Sequence, residues 1–283
     1  RSLGSLQARG LTSGQVGALS TDNVAQLSTT AVSALSAGAL EGLDEERAQA
    51  LSSTQVGALT TEQLTALTTE QVATLGSDEA AGLRSAQLSA LSTDSLQALG
   101  TQAVSALTTD ALRGLSAAQF GSLTTDQLQS LTTGQAASLV TAQVSGLSSA
   151  QVDSLESQDL GSLSTTVVAS LGTAALAGLD DGQLGGLTST QVGSLTTQQI
   201  QSLTTDQLAG LGSDEGAGLK ATQLSALSTT SLQALSTDAL GAVSTDALRG
   251  LSSTQFGSLT TEQVVALTTG QARALGAAQA RGL

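Results

Sequence analysis

Apolar positions recur along this chain at a spacing of five, then three, without interruption. From Leu3, every eighth residue to Leu283 is leucine, Val243 alone excepted. The residue five places further on is usually Val or Leu, as at Val16, Leu64, Val72, Leu112 and Leu128. The register holds through thirty-five whole octads with no insertion or deletion. Leu59-Thr60-Thr61-Glu62-Gln63-Leu64-Thr65-Ala66 is representative. The second position is mostly Ser, Thr, Gly or Asp (Ser92, Thr60, Gly100, Asp44) and the fifth is most often Gln (Gln15, Gln55, Gln127, Gln199). The eighth is Ala, Gly or Ser everywhere but Gln26 and Thr74.

One continuous helix does not fit. Eight residues at about 100° each overshoot two turns by about 80°, so the leucine stripe would wind around the axis instead of forming a seam. A single short helix per octad fits position by position. The second residue is a helix N-cap, and the glutamine three residues later completes a capping box. The leucine before the cap and the Val or Leu four after it form a hydrophobic staple. Acidic residues gather at the fourth position (Asp22, Glu62, Asp110, Glu262), near the positive end of the helix dipole, and arginines at the seventh (Arg9, Arg113, Arg249, Arg281), near the negative end. Asp110 and Arg113 are spaced to pair on one face. A small eighth residue then lets the chain turn.

Helices of about six residues do not survive alone, so stability must come from stacking neighbours into a common core. The expected fold is all-α: a solenoid or superhelix of very short helices, one per eight-residue repeat. A β-solenoid with half a coil per octad is the alternative, since Thr and Val suit strands, although spacings of five and three are not a strand alternation.

Residues 1–283 read as one continuous array carrying a slower repeat. Gly76-Ser77-Asp78-Glu79 returns as Gly212-Ser213-Asp214-Glu215, Phe120 as Phe256, Arg113 as Arg249, and Arg84 as Lys220, each seventeen octads later. Duplication accounts for the copying. If seventeen octads made a whole number of superhelical turns, the copies would also share a face.

Composition narrows the chemistry. The chain has no Pro, Cys, Met, Trp, Tyr or His and two Phe, so its core is aliphatic and thin. Phe120 and Phe256 stand at staple positions and read as core. Without His or Cys there is no imidazole or thiolate to activate a nucleophile or hold a transition metal; no catalytic, cofactor-binding or metal-ligating residue is assigned. The acidic pairs Asp44-Glu45-Glu46, Asp78-Glu79, Asp180-Asp181 and Asp214-Glu215 fit helix starts and match no calcium loop. Gly210 to Asp214 lacks the ending of a phosphate loop, and Asn23 heads no glycosylation sequon. A net charge of −14 argues against nucleic acid as a partner. No apolar run approaches the ~20 residues that span a bilayer, so this segment is not expected to insert into a membrane.

The strings Leu67 to Val72 (Leu-Thr-Thr-Glu-Gln-Val) and Leu51 to Val56 (Leu-Ser-Ser-Thr-Gln-Val) resemble a repeat of very large bacterial exported proteins of the haem-utilisation or adhesion exoprotein type. The resemblance covers the whole chain and implies a cell-surface or extracellular location, as a stalk or fibre. It does not extend to haem binding, because no residue type here ligates iron. The expected function is a non-catalytic, self-associating filament. The alternative is a solenoid module that adheres to protein, glycan or ice surfaces.

Overall fold

The computed structural model describes residues 3–282; Arg1, Ser2 and Leu283, the leucine after the last whole octad, lie outside them. Each octad forms one helix of four to six residues, numbered α1 (Ser5–Arg9) to α35 (Ala277–Ala280), and no strand occurs among the described residues. The β-solenoid alternative is therefore set aside.

Helix α8 (Thr61–Thr65) shows how an octad folds. Thr60 is extended, at φ −73° and ψ 159°. Its Oγ1 accepts the Gln63 N–H at 3.1 Å, and the Thr60 N–H donates to Gln63 Oε1 at 2.7 Å. Two donors that every helix start leaves free are thus satisfied by one pair of residues. Leu59 and Leu64, the staple residues, are both buried. The helix closes at Ala66 with right-handed angles, φ −84° and ψ −12°.

No residue described has a positive φ, glycines included. The expectation that small eighth residues serve the turn's backbone conformation is corrected here, since any L-residue could make these corners. The small residues are needed for clearance between turns. A Cβ on Gly82 would lie 1.9 Å from the Ser53 carbonyl oxygen, and one on Gly218 would lie 2.1 Å from that of Ser189.

The chain divides into two compact units, Arg1–Gln143 and Val144–Leu283. In the first, α1 packs on α4 (Thr29–Val32) and α2 (Ser13–Gly17) on α5 (Ala37–Leu40). In the second, α22 (Thr173–Leu176) packs on α25 (Thr197–Ser202) and α23 (Asp181–Leu184) on α26 (Thr205–Gly210). Within each unit, helices thus stack on their third neighbours, and one turn of the coil is three octads. Within each unit the first-position leucines and the sixth-position residues fill the interior, a continuous core no single octad could make. Phe120 and Phe256 sit there fully buried, each in a helix with the same Ser and Gln capping box. Seventeen is not a multiple of three. A copying period that is not a multiple of the three-octad turn needs no cause beyond duplication.

Candidate functional site

The polar chemistry of each unit is concentrated where one turn meets the next, and its main agent is the fifth-position glutamine. Gln63 Oε1 caps its own helix while Nε2 donates to the Val32 and Leu35 carbonyls of the preceding turn, at 2.8 and 2.7 Å. Gln55 does the same to Val24 and Leu27, and Gln71 to Leu40 and Leu43. In the second unit Gln191 bridges to Leu160 and Leu163, and Gln207 to Leu176 and Leu179. The acceptors lie 31 and 28 residues back, at a helix C-terminus where carbonyls lack intrahelical donors. One carboxamide therefore serves a helix start and a helix end at once. It is buried, and only Gln or Asn combines a donor and an acceptor in this way.

Substitutions at this position change the joint predictably. Arg47, in α6 (Glu45–Gln49), sends Nε to the Leu19 carbonyl at 2.6 Å and pairs its guanidinium with Asp44. Glu79 and Glu215 cap their helices by accepting the Gly76 and Gly212 N–H groups, but a carboxylate has no N–H to give the turn below. Alanine provides neither bond. It occurs, with neighbours, in runs of three octads such as Ser95, Ala103 and Ala111, and Ser231, Ala239 and Ala247.

A second joint uses the seventh and eighth positions. Where the seventh residue is Gly, the eighth residue three octads on is Gly in seven of eight cases, including Gly17 with Gly42, Gly57 with Gly82, and Gly193 with Gly218. A Cβ on Gly57 would meet the Gly82 carbonyl oxygen at 2.8 Å, so the pairing reflects backbone crossing backbone. Where the seventh residue is Gln the joint can become a hydrogen bond instead. Gln97 donates to the Ser122 carbonyl and Gln233 to that of Ser258, both at 2.8 Å.

The charged residues singled out in the sequence are dispersed among these roles. Asp44 and Asp180 are N-caps, accepting from Arg47 N and Gln183 N. Asp78 and Asp214 are exposed in first turns beside the buried Glu79 and Glu215. Gly212 is the N-cap of its helix, and Asn23 is exposed in α3 (Thr21–Ala25). The expected Asp110–Arg113 pair does not form; the one ion pair among the described residues is Arg47 with Asp44. Hydrogen bonds from its own backbone N–H and from the Thr68 and Thr69 hydroxyls hold the exposed Glu70 carboxyl below the usual carboxylate range. No group of three metal-ligating side chains occurs among the described residues, and no helix is long and apolar enough to cross a membrane.

Each unit also carries an open groove built from equivalent positions. One is lined by Ser53, Thr54, Gly57, Gly82 and Arg84, the other by Ser189, Thr190, Gly193, Gly218 and Lys220. The cationic side chains lie across Gly57 and Gly193. Sequence reading detected the cation pair but not the groove, nor the glutamine's second bond. Both depend on contacts between residues a turn apart.

Comparison with known proteins is consistent with a repeat array. No curated protein matches the chain in sequence. Among solved structures, the leucine-rich repeat-containing protein LegL7 from Legionella pneumophila is similar at 12% identity, over 75% of this chain and 80% of that one, with a TM-score of 0.20, which is too low to compare the folds. The ALTTAQ repeat model matches residues 48–77, 104–133, 152–189, 168–197, 179–213 and 240–269, together more than half of the chain. With its octads, capped helices and in-phase register, the chain belongs to the ALTTAQ repeat family.

Proposed function

We propose that this array is a non-catalytic structural element of an extracellular bacterial filament, stalk or adhesin-like fibre, and that it self-associates. The observation that supports this reading is the joint between turns. It is set by register alone and made by the same atoms at Gln55, Gln63, Gln191 and Gln207, so turns can be added without new chemistry. The resemblance to exported haem-utilisation or adhesion exoproteins supports the location. Haem itself finds no ligand in this composition. Electron microscopy of the full-length protein, with surface labelling of the cells that make it, tests the reading. Extended surface structures are expected; compact monomers confined inside the cell would overturn it.

A second reading, an adhesion module, draws on the equivalent grooves rimmed by Arg84 and Lys220. Saturable retention on a glycan surface that is lost in an Arg84→Ser, Lys220→Ser double variant would favour it over a purely structural role.

A further inference from the structure

The fifth-position residues sort the turns into two kinds. Clamped turns carry Gln, as in α7 (Ser53–Ala58), α8 and α9 (Thr69–Ala73), or α24 (Ser189–Val192), α25 and α26. The other kind lacks Gln for one whole turn. In the first unit these turns are octads 3–5 (Asn23, Ala31, Ala39) and 12–14 (Ser95, Ala103, Ala111). In the second they are octads 20–22 (Asp159, Val167, Ala175) and 29–31 (Ser231, Ala239, Ala247). Every run is three octads long, the length of a turn, once Arg47 is set apart as a fourth octad without Gln after the first run. The first is followed by Arg47, whose Nε reaches the turn below as a glutamine would.

In α12 (Thr93–Ala98), α13 (Thr101–Ala106) and α14 (Thr109–Arg113) no capping box forms. Among the described residues no side chain donates to the carbonyls of Val72, Leu75, Ala80 or Leu83, which a glutamine at Ala103 or Ala111 would have bridged. In the second unit Ser236 provides a single bond of this sort, to the Leu211 carbonyl at 2.5 Å. Small residues close the gap instead. Helices α10 (Ser77–Ala80) and α13 approach closely, as do α27 (Ser213–Gly218) and α30 (Thr237–Ala242). At the latter seam a Cβ on Gly216 would lie 2.2 Å from the Ala239 carbonyl oxygen.

We propose that the alanine turns are built-in opening planes, dividing each unit into blocks that unfold separately under heat or tension. An alanine turn forgoes, at each alanine octad, one hydrogen bond at the helix start and two to the turn below. Closer packing of methyl groups replaces only part of that, because each missing bond has a net value of about 1 kcal/mol. Local opening follows the least-supported element. Within each unit the two alanine runs start nine octads apart, which sets the block size.

Hydrogen exchange read by mass spectrometry on the intact chain tests this. After correction for intrinsic rates, amides of α12–α14 and of α29 (Thr229–Ala234) to α31 (Thr245–Leu248) should exchange at least about tenfold faster than those of α7–α9 and α24–α26. A Gln55→Ala, Gln63→Ala, Gln71→Ala variant should bring α7–α9 to the faster rate. Equal or slower exchange in the wild-type alanine turns overturns the proposal, even if the triple variant fails to fold. So does a folded triple variant whose α7–α9 stay protected.

Discussion

Helices α7–α9 and α12–α14 have nearly the same leucines, similar lengths and equivalent neighbours three octads away, yet hold to the preceding turn by different means. The first set commits buried polar groups to directed bonds: three glutamines, each closing one helix start and reaching two carbonyls. The second relies on small side chains and closeness, with Ala103 and Ala111 buried against the turn below. The contrast teaches that the octad sets the helix, while one position within it decides how turns are joined. A buried amide is stabilising only when its partners are present, which fits the two commonest fifth-position residues, a satisfied Gln and an alanine with no polar side-chain atom.

The largest expected effect comes from breaking phase. Deleting Leu59 to Glu62, half an octad, removes register for every later joint and should lower the melting temperature by at least about 10 °C. Deleting Leu59 to Gly82, one whole turn, should change it by no more than about 3 °C, with the octad deletion Leu59 to Ala66 in between. Thermal melts followed by circular dichroism rank the three, and any other order contradicts a three-octad turn.

Next come the close crossings. Gly82→Ala places a Cβ 1.9 Å from the Ser53 carbonyl oxygen and should cost about 2–3 kcal/mol. Gly38→Ala has open space around its Cβ and should be neutral or stabilising by up to about 1 kcal/mol. Chemical denaturation of both variants separates clearance from backbone freedom.

The comparison sharpens at the fifth position itself. Gln63→Ala should cost about 2 kcal/mol through the lost bonds and the Leu35 carbonyl left without its donor. Gln63→Glu should cost at least as much, because it keeps the cap but turns an oxygen toward the Val32 and Leu35 carbonyls. Ala103→Gln, the reverse exchange, should also destabilise, by about 1 kcal/mol, since the gap there is too narrow for a carboxamide. A stabilised Ala103→Gln would show that the alanine turns are merely incomplete clamped turns.

The smallest effect concerns Glu70. Because its folded carboxyl is held below the ordinary range, its contribution is present above the ordinary glutamate pKa and is lost as pH falls through the folded midpoint. Carboxyl-carbon NMR should find that depressed midpoint, and Glu70→Gln should slightly weaken the dependence of stability on acid.

The capped, stapled helix was legible in the sequence: Thr60, Gln63, Leu59 and Leu64 announce it because all four act within a single octad. What spans a turn was not. Nothing in one octad says that its spatial neighbour lies three octads away. Two signals were nonetheless present in the letters. Seventh-position glycines pair with eighth-position glycines one turn on, as at Gly57 and Gly82, and three of the four alanine-rich interruptions of the glutamine series last three octads. Both are imprints of the turn length and become readable only once that length is known. The Asp110–Arg113 pair failed for another reason: on an exposed surface, correct spacing gives too little energy to hold two side chains together.

Glutamine carboxamides join one turn to the next, and side-chain amide exchange is the sharpest test of that joint. In a chain labelled with nitrogen-15 at glutamine, the NH₂ groups of the buried Gln55, Gln63, Gln191 and Gln207 should exchange with solvent far more slowly than those of the exposed Gln49 and Gln102. Their resonances should also show coupling to the acceptor carbonyl carbons of the preceding turn. If all glutamine side chains exchange at one solvent-like rate, the clamps do not exist, and the turns are held by their leucines alone.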